Sequence, residues 1–285
     1  ILAHYYQEDD IQDIADFLGD SLNLSQTAVN TNADIIVFCG VHFMAETAKI
    51  LSPQKKVLLP VMNAGCLMAD TITKKDLQDY KTKNPDTKII TYVNTSAEIK
   101  ALSDCICTST NGLKIIDYYL NKGEKILYTP DQNLGKYAMK ISGKKFEVWN
   151  GCCPIHHLLD INKVLEQKNL HPNALIISHP EAQLNILDIS DYIGSTAQLL
   201  SFVKKSEAKE FIVCTEKGVL HAMKKQNPDK QFFIGSPTLN CHDMKKTRLE
   251  DVYNCLLNET NEIFVDEDVS KQALKALNTM LELSK

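Results

Sequence analysis

Three cysteines, Cys66, Cys153 and Cys241, each follow an apolar run that has the composition of a buried β-strand. Cys66 and Cys153 are 87 residues apart, and Cys153 and Cys241 are 88 apart. Thiolates are soft ligands that suit zinc or iron–sulfur clusters. A free cysteine is more often a small buried hydrophobe, and on the cysteines alone that interpretation stays open. The shared spacing nevertheless predicts that the chain gathers these three thiols around one metal group.

Other chemically active side chains recur with the same period. The members of each column below lie 88 and 87 residues apart. A fixed period is typical of repeated structural units, so we interpret the chain as a triplicated domain of roughly 85–88 residues. The columns are His4, Tyr92 and His179; Tyr6, Asn94 and Glu181; Asp16, Asp104 and Asp191; and Ser21, Ser109 and Thr196.

These columns follow apolar strands that alternate with helical patterns. The run 34–40 is continuously apolar, as parallel strands buried on both faces are, and we also interpret the runs 88–94 and 174–178 as strands. Between them lie amphipathic stretches, such as the helix that we predict from Asp10 to Leu18. We therefore predict an α/β fold of three similar three-layer α/β/α domains with short parallel sheets, related by pseudo-threefold symmetry around a central active site.

The period also predicts the domain boundaries. They are residues 1–70, 71–156 and 157–244, with a tail over residues 245–285 that we expect to pack on the first domain. Ligands of open α/β sheets bind beyond the carboxyl ends of the strands, where we expect the three cysteines and the columns of His4, Tyr6 and Ser21 to lie. Since the chain begins with Ile1 inside a strand-like run, we also expect that residues precede it in the natural protein.

The residue types at these strand ends suggest a lyase or synthase with a small anionic substrate. Hydroxyls that begin helices, as at Ser21, Ser109 and Thr196, suit carboxylate or phosphate groups. Glu181, between imidazoles, suits general acid–base work. Iron–sulfur clusters usually have four cysteine ligands. Three cysteines would therefore leave one iron open as a Lewis acid.

Two other functions stay open on these residues. One is a hydro-lyase of the aconitase type, which also uses three cysteines, although its usual close Cys-x-x-Cys pair is missing here. The other is a non-enzymatic iron–sulfur or zinc sensor. The array of His, Tyr and Glu columns argues against a sensor, since a structural metal site does not need these groups.

Composition limits the partners. The net charge of −5 does not favour a nucleic acid or an anionic membrane as a partner. No apolar run reaches the roughly 18 residues of a membrane helix. Nine cysteines is an odd number, which is unlike a secreted disulfide framework, so we expect a reducing cytoplasm.

The motifs resemble the quinolinate synthase family across nearly the whole chain. The segments that carry the resemblance are His4-Tyr5-Tyr6-Gln7, Asp13 to Leu22, Phe43 to Lys49, Tyr92-Val93-Asn94, Thr108-Ser109, Trp149 to Cys153, His179-Pro180-Glu181, Gly194-Ser195-Thr196 and Met244-Lys245-Lys246. The resemblance implies a [4Fe–4S] cluster that is held by Cys66, Cys153 and Cys241. It also implies the condensation of iminoaspartate with dihydroxyacetone phosphate to quinolinate, with release of phosphate and water, in NAD biosynthesis. An aspartate oxidase or dehydrogenase that supplies the imine is the implied protein partner.

The resemblance also implies the site residues. Glu181, His179, Tyr6 and Tyr92 are the implied catalytic groups. The implied substrate-binding residues are His4, Ser21, Phe43, Met44, Tyr92, Asn94, Ser109, Thr110, His156, His179, Glu181, Ser195 and Thr196.

Several residues with reactive side chains have simpler interpretations. We expect Cys39, Cys105, Cys107 and Cys214 to belong to the apolar core. We expect Lys245 and Lys246 to form a solvated turn, close enough to Cys241 to favour anions.

Overall fold

The first α/β unit is built on a four-stranded parallel sheet with the strand order β2-β1-β3-β4. The computed structural model describes residues 1–285. The elements of this unit are β1 (Leu2–His4), α1 (Asp9–Ile14), β2 (Phe17–Gly19), α2 (Ser21–Asn30), β3 (Ile35–Cys39), α3 (His42–Leu51) and β4 (Lys56–Leu58).

The second unit repeats this order of strands in space, as β6-β5-β7-β8. A single 3₁₀ turn over Ala69–Thr71 precedes it. Its elements are α4 (Lys74–Lys83), β5 (Thr87–Tyr92), α5 (Ala97–Ala101), β6 (Cys105–Cys107), α6 (Gly112–Asn121), β7 (Lys125–Thr129), α7 (Gln132–Ser142) and β8 (Glu147–Val148).

The third unit has the order β10-β9-β11-β12, again with every strand pair parallel. Its elements are α8 (Pro154–His157), α9 (Ile161–Leu170), β9 (Leu175–Ser178), α10 (Leu184–Leu187), β10 (Tyr192–Ile193), α11 (Thr196–Lys205), β11 (Glu210–Cys214), α12 (Val219–Gln226) and β12 (Gln231–Ile234). Two helices follow, α13 (Leu249–Asn258) and α14 (Glu267–Leu283).

One column of the sequence repeat makes the same contact in every unit. The Asp104 carboxylate accepts a hydrogen bond from the backbone N–H of Ile89 at 2.8 Å, and Asp191 accepts one from Ile176 at 2.8 Å. In the first unit Asp16 binds the amino terminus of Ile1 at 2.6 Å. Each carboxylate thereby ties the start of the second strand to the first strand. The predicted α/β class with three similar units is confirmed, whereas their threefold relation stays a prediction.

The predicted helix over residues 10–18 is wrong in its second half. Helix α1 ends at Ile14, and Phe17–Gly19 is strand β2, which pairs in parallel with β1. Ile14 and Leu18 fit a helical period, but pairing of the Phe17–Gly19 backbone with β1 overrides this local pattern.

The first two units share one apolar core, whereas the third unit has separate apolar clusters. The largest apolar cluster has 36 buried residues and joins the first unit, the second unit and α14. The third unit has two clusters of its own, of 10 buried residues each. The four cysteines predicted to be core, Cys39, Cys105, Cys107 and Cys214, are all buried.

The tail lies against two units. Helix α13 contacts β3 of the first unit. Helix α14 contacts α3 of the first unit but lies mainly against α5 and β6 of the second. The expected packing on the first unit therefore describes only part of the tail. No helix in the chain has the length and apolar character required to cross a membrane.

Candidate active site

The carboxyl ends of the three sheets face one cavity of about 700 Å³, counting its opening to solvent. All three predicted metal ligands and most of the predicted site residues line it. These residues are His4, Tyr6, Ser21, Phe43, Met44, Cys66, Tyr92, Asn94, Ser109, Cys153, His156, His179, Glu181, Thr196 and Cys241. The topology therefore brings together side chains that are nearly 240 residues apart in the chain.

The three thiols share the cavity without converging on one point. Burial raises the pKa of Cys66 to about 12, with Cys241 and Glu181 adding to the effect. Burial also raises the pKa of Cys153 and of Cys241. The only set of three His, Cys, Asp or Glu ligand atoms within 4.8 Å of one another is a different one. At least one pair of the three sulfurs is therefore more than 4.8 Å apart, so the thiols as they stand do not form a site for a single ion.

Buried carboxylates hold the backbone beside two of these cysteines. Asp131 accepts the N–H of Cys153 at 3.0 Å, and Glu216 accepts the N–H of Cys241 at 3.2 Å. Each acid follows the central strand of its unit, β7 or β11. Burial and the nearby Glu181 raise the pKa of Asp131, while burial raises the pKa of Glu216 against the opposing effect of Lys245.

The turn before Cys153 requires glycine. A Cβ atom on Gly151 would lie 2.2 Å from Thr71 Oγ1 and 2.7 Å from the carbonyl oxygen of Pro130. The Gly151 carbonyl accepts the N–H of Gln132 at 2.7 Å, so the backbone passes close to the start of α7. This close approach positions the loop that carries Cys153.

The segment after Cys241 connects the loops of the other units. Asp243 accepts the N–H of Gly65, the neighbour of Cys66, at 3.2 Å. Lys245 donates to the carbonyl of Tyr6 at 2.6 Å and lies 3.3 Å from Glu216. The prediction that Lys245 is solvated is wrong, because this side chain is only 8% exposed. An ion pair with a buried acid explains how the ammonium can leave water.

Glu181 lies at the centre of the polar groups. Its Oε1 accepts a hydrogen bond from the Tyr92 hydroxyl at 2.6 Å, and its Oε2 lies 2.8 Å from His156 Nδ1 and 3.8 Å from His179 Nδ1. Burial opposes ionisation of Glu181, but His179, His156 and the hydrogen bonds hold its pKa below the usual value. The carboxylate is therefore ionised, with the Tyr92 hydroxyl and two imidazoles within 3.8 Å of its oxygens.

A chain of hydroxyl groups leads away from Glu181 through His156. His156 Nε2 lies 2.9 Å from Thr215 Oγ1, which lies 2.7 Å from the Tyr6 hydroxyl. The Tyr6 hydroxyl in turn lies 2.9 Å from Thr196 Oγ1. When His156 Nδ1 donates to Glu181, Nε2 accepts from Thr215, and every hydroxyl can donate toward the imidazole. The chain can thus pass a proton between Tyr6 and Glu181.

Two imidazoles and two phenols in the cavity are held in their neutral forms. Burial lowers the pKa of His4 to about 3, and His179 and Lys245 add to this effect. Burial lowers the pKa of His179 to about 4, although Glu181 opposes it. Burial also raises the pKa of Tyr6 and of Tyr92 well above the usual value.

Two helix N-termini also border the cavity. Ser21 is the first residue of α2 and Thr196 the first residue of α11. The exposed N–H groups and the dipole of such a terminus favour an anion. The buried Asn94 Oδ1 has no hydrogen-bond partner in the structure. The hydroxyls and N–H groups can hold carboxylate or phosphate oxygens, whereas the Asn94 oxygen can accept a hydrogen bond from an N–H or O–H of a bound molecule.

Two predicted site residues lie behind the wall of this cavity. Thr110 Oγ1 donates to Ser195 Oγ at 2.8 Å and also lies 3.2 Å from Asp20 Oδ2. Ser195 Oγ lies 3.3 Å from the same Asp20 oxygen. Asp20, which does line the cavity, therefore links one hydroxyl from each of the other units.

Sequence reasoning missed several residues of this site. Thr215, Asp131 and Glu216 all stand just after a central strand, so their position at the carboxyl edge was a usable signal. Asp20 directly precedes Ser21 and caps α2 by accepting the N–H of Asn23. The polar columns did not include Asp131 and Glu216 because these two acids are 85 residues apart, outside the period of 87 and 88, and they did not include Thr215 and Asp20 because the side chains at those positions differ from unit to unit.

Comparison with known proteins gives one consistent family. The family described as "Quinolinate synthetase A protein" matches residues 1–282. The chain is 50% identical over 285 residues to the quinolinate synthase of Caldicellulosiruptor saccharolyticus, which covers 100% of the chain and 93% of that relative. It is 48% identical to the quinolinate synthase of Nostoc sp., over 100% of the chain and 89% of the relative. It is 49% identical to the quinolinate synthase of Clostridium kluyveri, over 99% of the chain and 93% of the relative.

Proposed function

We propose that this chain, which belongs to the quinolinate synthetase A protein family of enzymes, condenses iminoaspartate with dihydroxyacetone phosphate. The products are quinolinate, phosphate and water, and the reaction serves NAD biosynthesis. The observation that carries the proposal is the single cavity in which thiols, imidazoles, phenols and a carboxylate from three units meet. A sensor or a structural metal site would not need that array.

Cys66, Cys153 and Cys241 are the residues that would hold a [4Fe–4S] cluster. The three thiols line one cavity and do not all lie within 4.8 Å of one another, which favours a group with several metal ions over a single ion. When bound, a cluster with three protein ligands supplies an open iron that acts as a Lewis acid. Asp131, Glu216 and Asp243 keep the loops that carry the thiols in place through backbone hydrogen bonds.

Ser21, Ser109 and Thr196 bind the anionic groups of the substrates. Ser21 and Thr196 begin helices, so their hydroxyls and the neighbouring N–H groups face incoming oxygens. Asn94 contributes a buried side-chain amide with an unused acceptor, which suits an N–H or O–H of a substrate. Phe43 and Met44 supply an apolar wall that excludes water.

Glu181 and His179 move the protons of the ketose-to-aldose step and of the dehydrations. Glu181 is ionised because its pKa lies below the usual value, so it has a free oxygen that can serve as the proton acceptor, and His179 is neutral because burial lowers its pKa to about 4. The phenols of Tyr6 and Tyr92 are protonated before the substrates bind, because burial raises their pKa well above the usual value, and they can give a proton to oxygens that become negative. Thr215 and His156 return the proton from Glu181 to Tyr6 along the hydroxyl chain.

We place the reaction in the cytoplasm, with an aspartate oxidase or dehydrogenase as the source of the imine. All nine cysteines are free, which suits a reducing compartment.

His4 and His156 complete the substrate contacts on the polar side of the cavity. Thr110 and Ser195 support the anion-binding hydroxyls through Asp20.

The direct test is turnover by anaerobically reconstituted protein. Iminoaspartate, generated in the assay from aspartate, is supplied with dihydroxyacetone phosphate, and quinolinate is measured by chromatography. We expect quinolinate only when both substrates and the reconstituted protein are present. Formation of quinolinate at the rate of the protein-free control would overturn the proposal. Dehydration of a citrate-type hydroxy acid in its place would identify a hydro-lyase.

A further inference from the structure

The cavity contains a second set of metal-binding atoms, which shares only one thiol with the first. Cys153, His156 and Glu181 are the only three His, Cys, Asp or Glu residues whose ligand atoms all lie within 4.8 Å of one another. His156 Nδ1 lies 3.3 Å from Cys153 Sγ and 2.8 Å from Glu181 Oε2. Both His156 and Glu181 are buried.

We propose that the protein without its cluster binds a single zinc ion through Cys153 Sγ, His156 Nδ1 and the Glu181 carboxylate. The fourth position of the ion faces the cavity. This inference goes beyond the proposed function, because it assigns a second metal and a different ligand set to the same cavity.

The distances are close to those of a tetrahedral zinc site. Zinc bonds of about 2.3 Å to sulfur and about 2.0–2.2 Å to nitrogen and oxygen separate tetrahedral ligands by about 3.6 Å (S to N) and about 3.4 Å (N to O). The observed separations of 3.3 Å and 2.8 Å are shorter. The ion therefore needs the side chains to spread by about 0.3 Å and about 0.6 Å, which rotamer adjustments can supply.

The ligands already have the outer hydrogen bonds that metal sites require. Histidine ligands usually engage their second ring nitrogen with another group, and carboxylate ligands are also hydrogen-bonded. Here Thr215 Oγ1 lies 2.9 Å from His156 Nε2, and the Tyr92 hydroxyl donates to Glu181 Oε1 at 2.6 Å. With zinc on Nδ1, the N–H at Nε2 donates to Thr215. Both contacts keep the ligands oriented toward the ion.

Charge also favours this set. One thiolate, one carboxylate and a neutral imidazole balance the two charges of zinc, so the buried site has no net charge. Mixed sulfur, nitrogen and oxygen ligands suit zinc, which accepts all three. The three-thiol set offers no comparable single-ion site, because its sulfurs do not lie within 4.8 Å of one another.

Zinc at this site excludes the cluster, since both need Cys153. The ion also occupies Glu181, the central acceptor of the polar groups. Zinc would therefore compete with cluster assembly, and iron loading would fall as zinc rises.

Zinc binding to the cluster-free chain of residues 1–285 tests the inference without any measurement of activity. The probe is Zn²⁺ alone, titrated under anaerobic conditions against a chromogenic chelator, with Co²⁺ as a spectroscopic substitute. We expect a single ion per chain and the absorption of tetrahedral cobalt with one thiolate. Cys153→Ser and His156→Gln should weaken zinc binding by at least about 100-fold. Even the mutation of a group that only hydrogen-bonds to a metal ligand typically lowers metal affinity by about 10- to 100-fold. Cys66→Ser and Cys241→Ser should bind zinc as the parent chain does.

Two outcomes would overturn the inference. One is weakening by Cys66→Ser or Cys241→Ser as severe as that by Cys153→Ser, which would indicate a three-thiol ion. The other is unchanged zinc affinity in His156→Gln. Circular dichroism confirms that each variant is folded, and Cys66→Ser serves as a matched cysteine variant. Because iron loading and quinolinate formation by the parent chain are measured separately, failure here leaves the proposed function standing.

Discussion

The hydroxyl of Tyr92 donates a hydrogen bond to Glu181 Oε1 at 2.6 Å, across the boundary between the second and third α/β units. Neither residue is close to the other in sequence, yet both are buried in one cavity. The contact fixes one oxygen of the carboxylate and leaves the other for His156. The hydrogen bond therefore joins the second unit to the third at the Glu181 carboxylate.

Replacement of this carboxylate should abolish most of the activity. In Glu181→Gln the amide keeps the shape but cannot take up a proton. We expect kcat to fall by about 100- to 10,000-fold, the usual worth of a general acid–base group. Quinolinate formation under saturating substrates measures this. Tyr92→Phe, which keeps the carboxylate, serves as the comparison and should lose less. Full turnover by Glu181→Gln would remove the acid–base role.

The hydroxyl of Thr215 should be needed for turnover although it does not line the cavity. Thr215→Val keeps the side-chain shape but breaks the path from His156 to Tyr6. Proton transfer by a positioned group is worth about 100- to 10,000-fold in rate, and Thr215 supplies only one part of that path, so we expect kcat to fall by about 10- to 100-fold with little change in KM. Thr215→Ser keeps the hydroxyl and should retain most of the activity. Equal rates for the two variants would argue against the path.

The buried ion pair of Lys245 and Glu216 should be a strong stability determinant. Lys245→Met leaves Glu216 buried without its cation, which typically costs about 3–5 kcal/mol. We expect Glu216→Gln to restore much of this loss in the double variant. Urea unfolding of the cluster-free protein measures the coupling. Lys246→Met is the control, since Lys246 pairs with Asp243 near the surface and should cost less than about 1 kcal/mol. Equal losses for Lys245→Met and Lys246→Met would contradict the prediction.

Lys100 should make stability rise with pH above about 8. Burial lowers the pKa of this lysine from 10.5 to about 8, although Glu46 opposes the shift. Between those values the unfolded chain binds a proton that the folded chain has lost. The free energy of unfolding should therefore increase with pH through this window, by roughly 3 kcal/mol at most.

Urea unfolding at pH 7.5 and 10 of the parent chain and of Lys100→Met measures this effect. The variant should lack the additional gain in stability at high pH. Lys88→Met, which removes a half-exposed ammonium beside Asp104, is the matched control and should keep the gain. If the stability of the parent chain changed with pH in the same way as that of Lys100→Met, the prediction would be wrong.

The sequence period predicted the repeated units and the common position of the three cysteines because each column sits at the same point of the same strand. It could not predict the contacts that follow from packing. Lys245 looked like half of a solvated lysine pair, and only the distant Glu216 explains its burial. Thr215 is a single threonine with no equivalent in the other units. Strand β2 escaped notice because three residues are too few to set a period, and its pairing with β1 decides its conformation.

The iron and acid-labile sulfide content of cysteine variants tests the central claim most directly. After anaerobic reconstitution we predict about four iron and four sulfide atoms per chain, as for any [4Fe–4S] centre. Cys66→Ser, Cys153→Ser and Cys241→Ser should each lose most of that content. Cys152→Ser, beside a ligand but absent from the cavity wall, should keep it. Full iron in any of the first three variants, or loss of iron in Cys152→Ser equal to theirs, would contradict the assignment of Cys66, Cys153 and Cys241 as the three ligands.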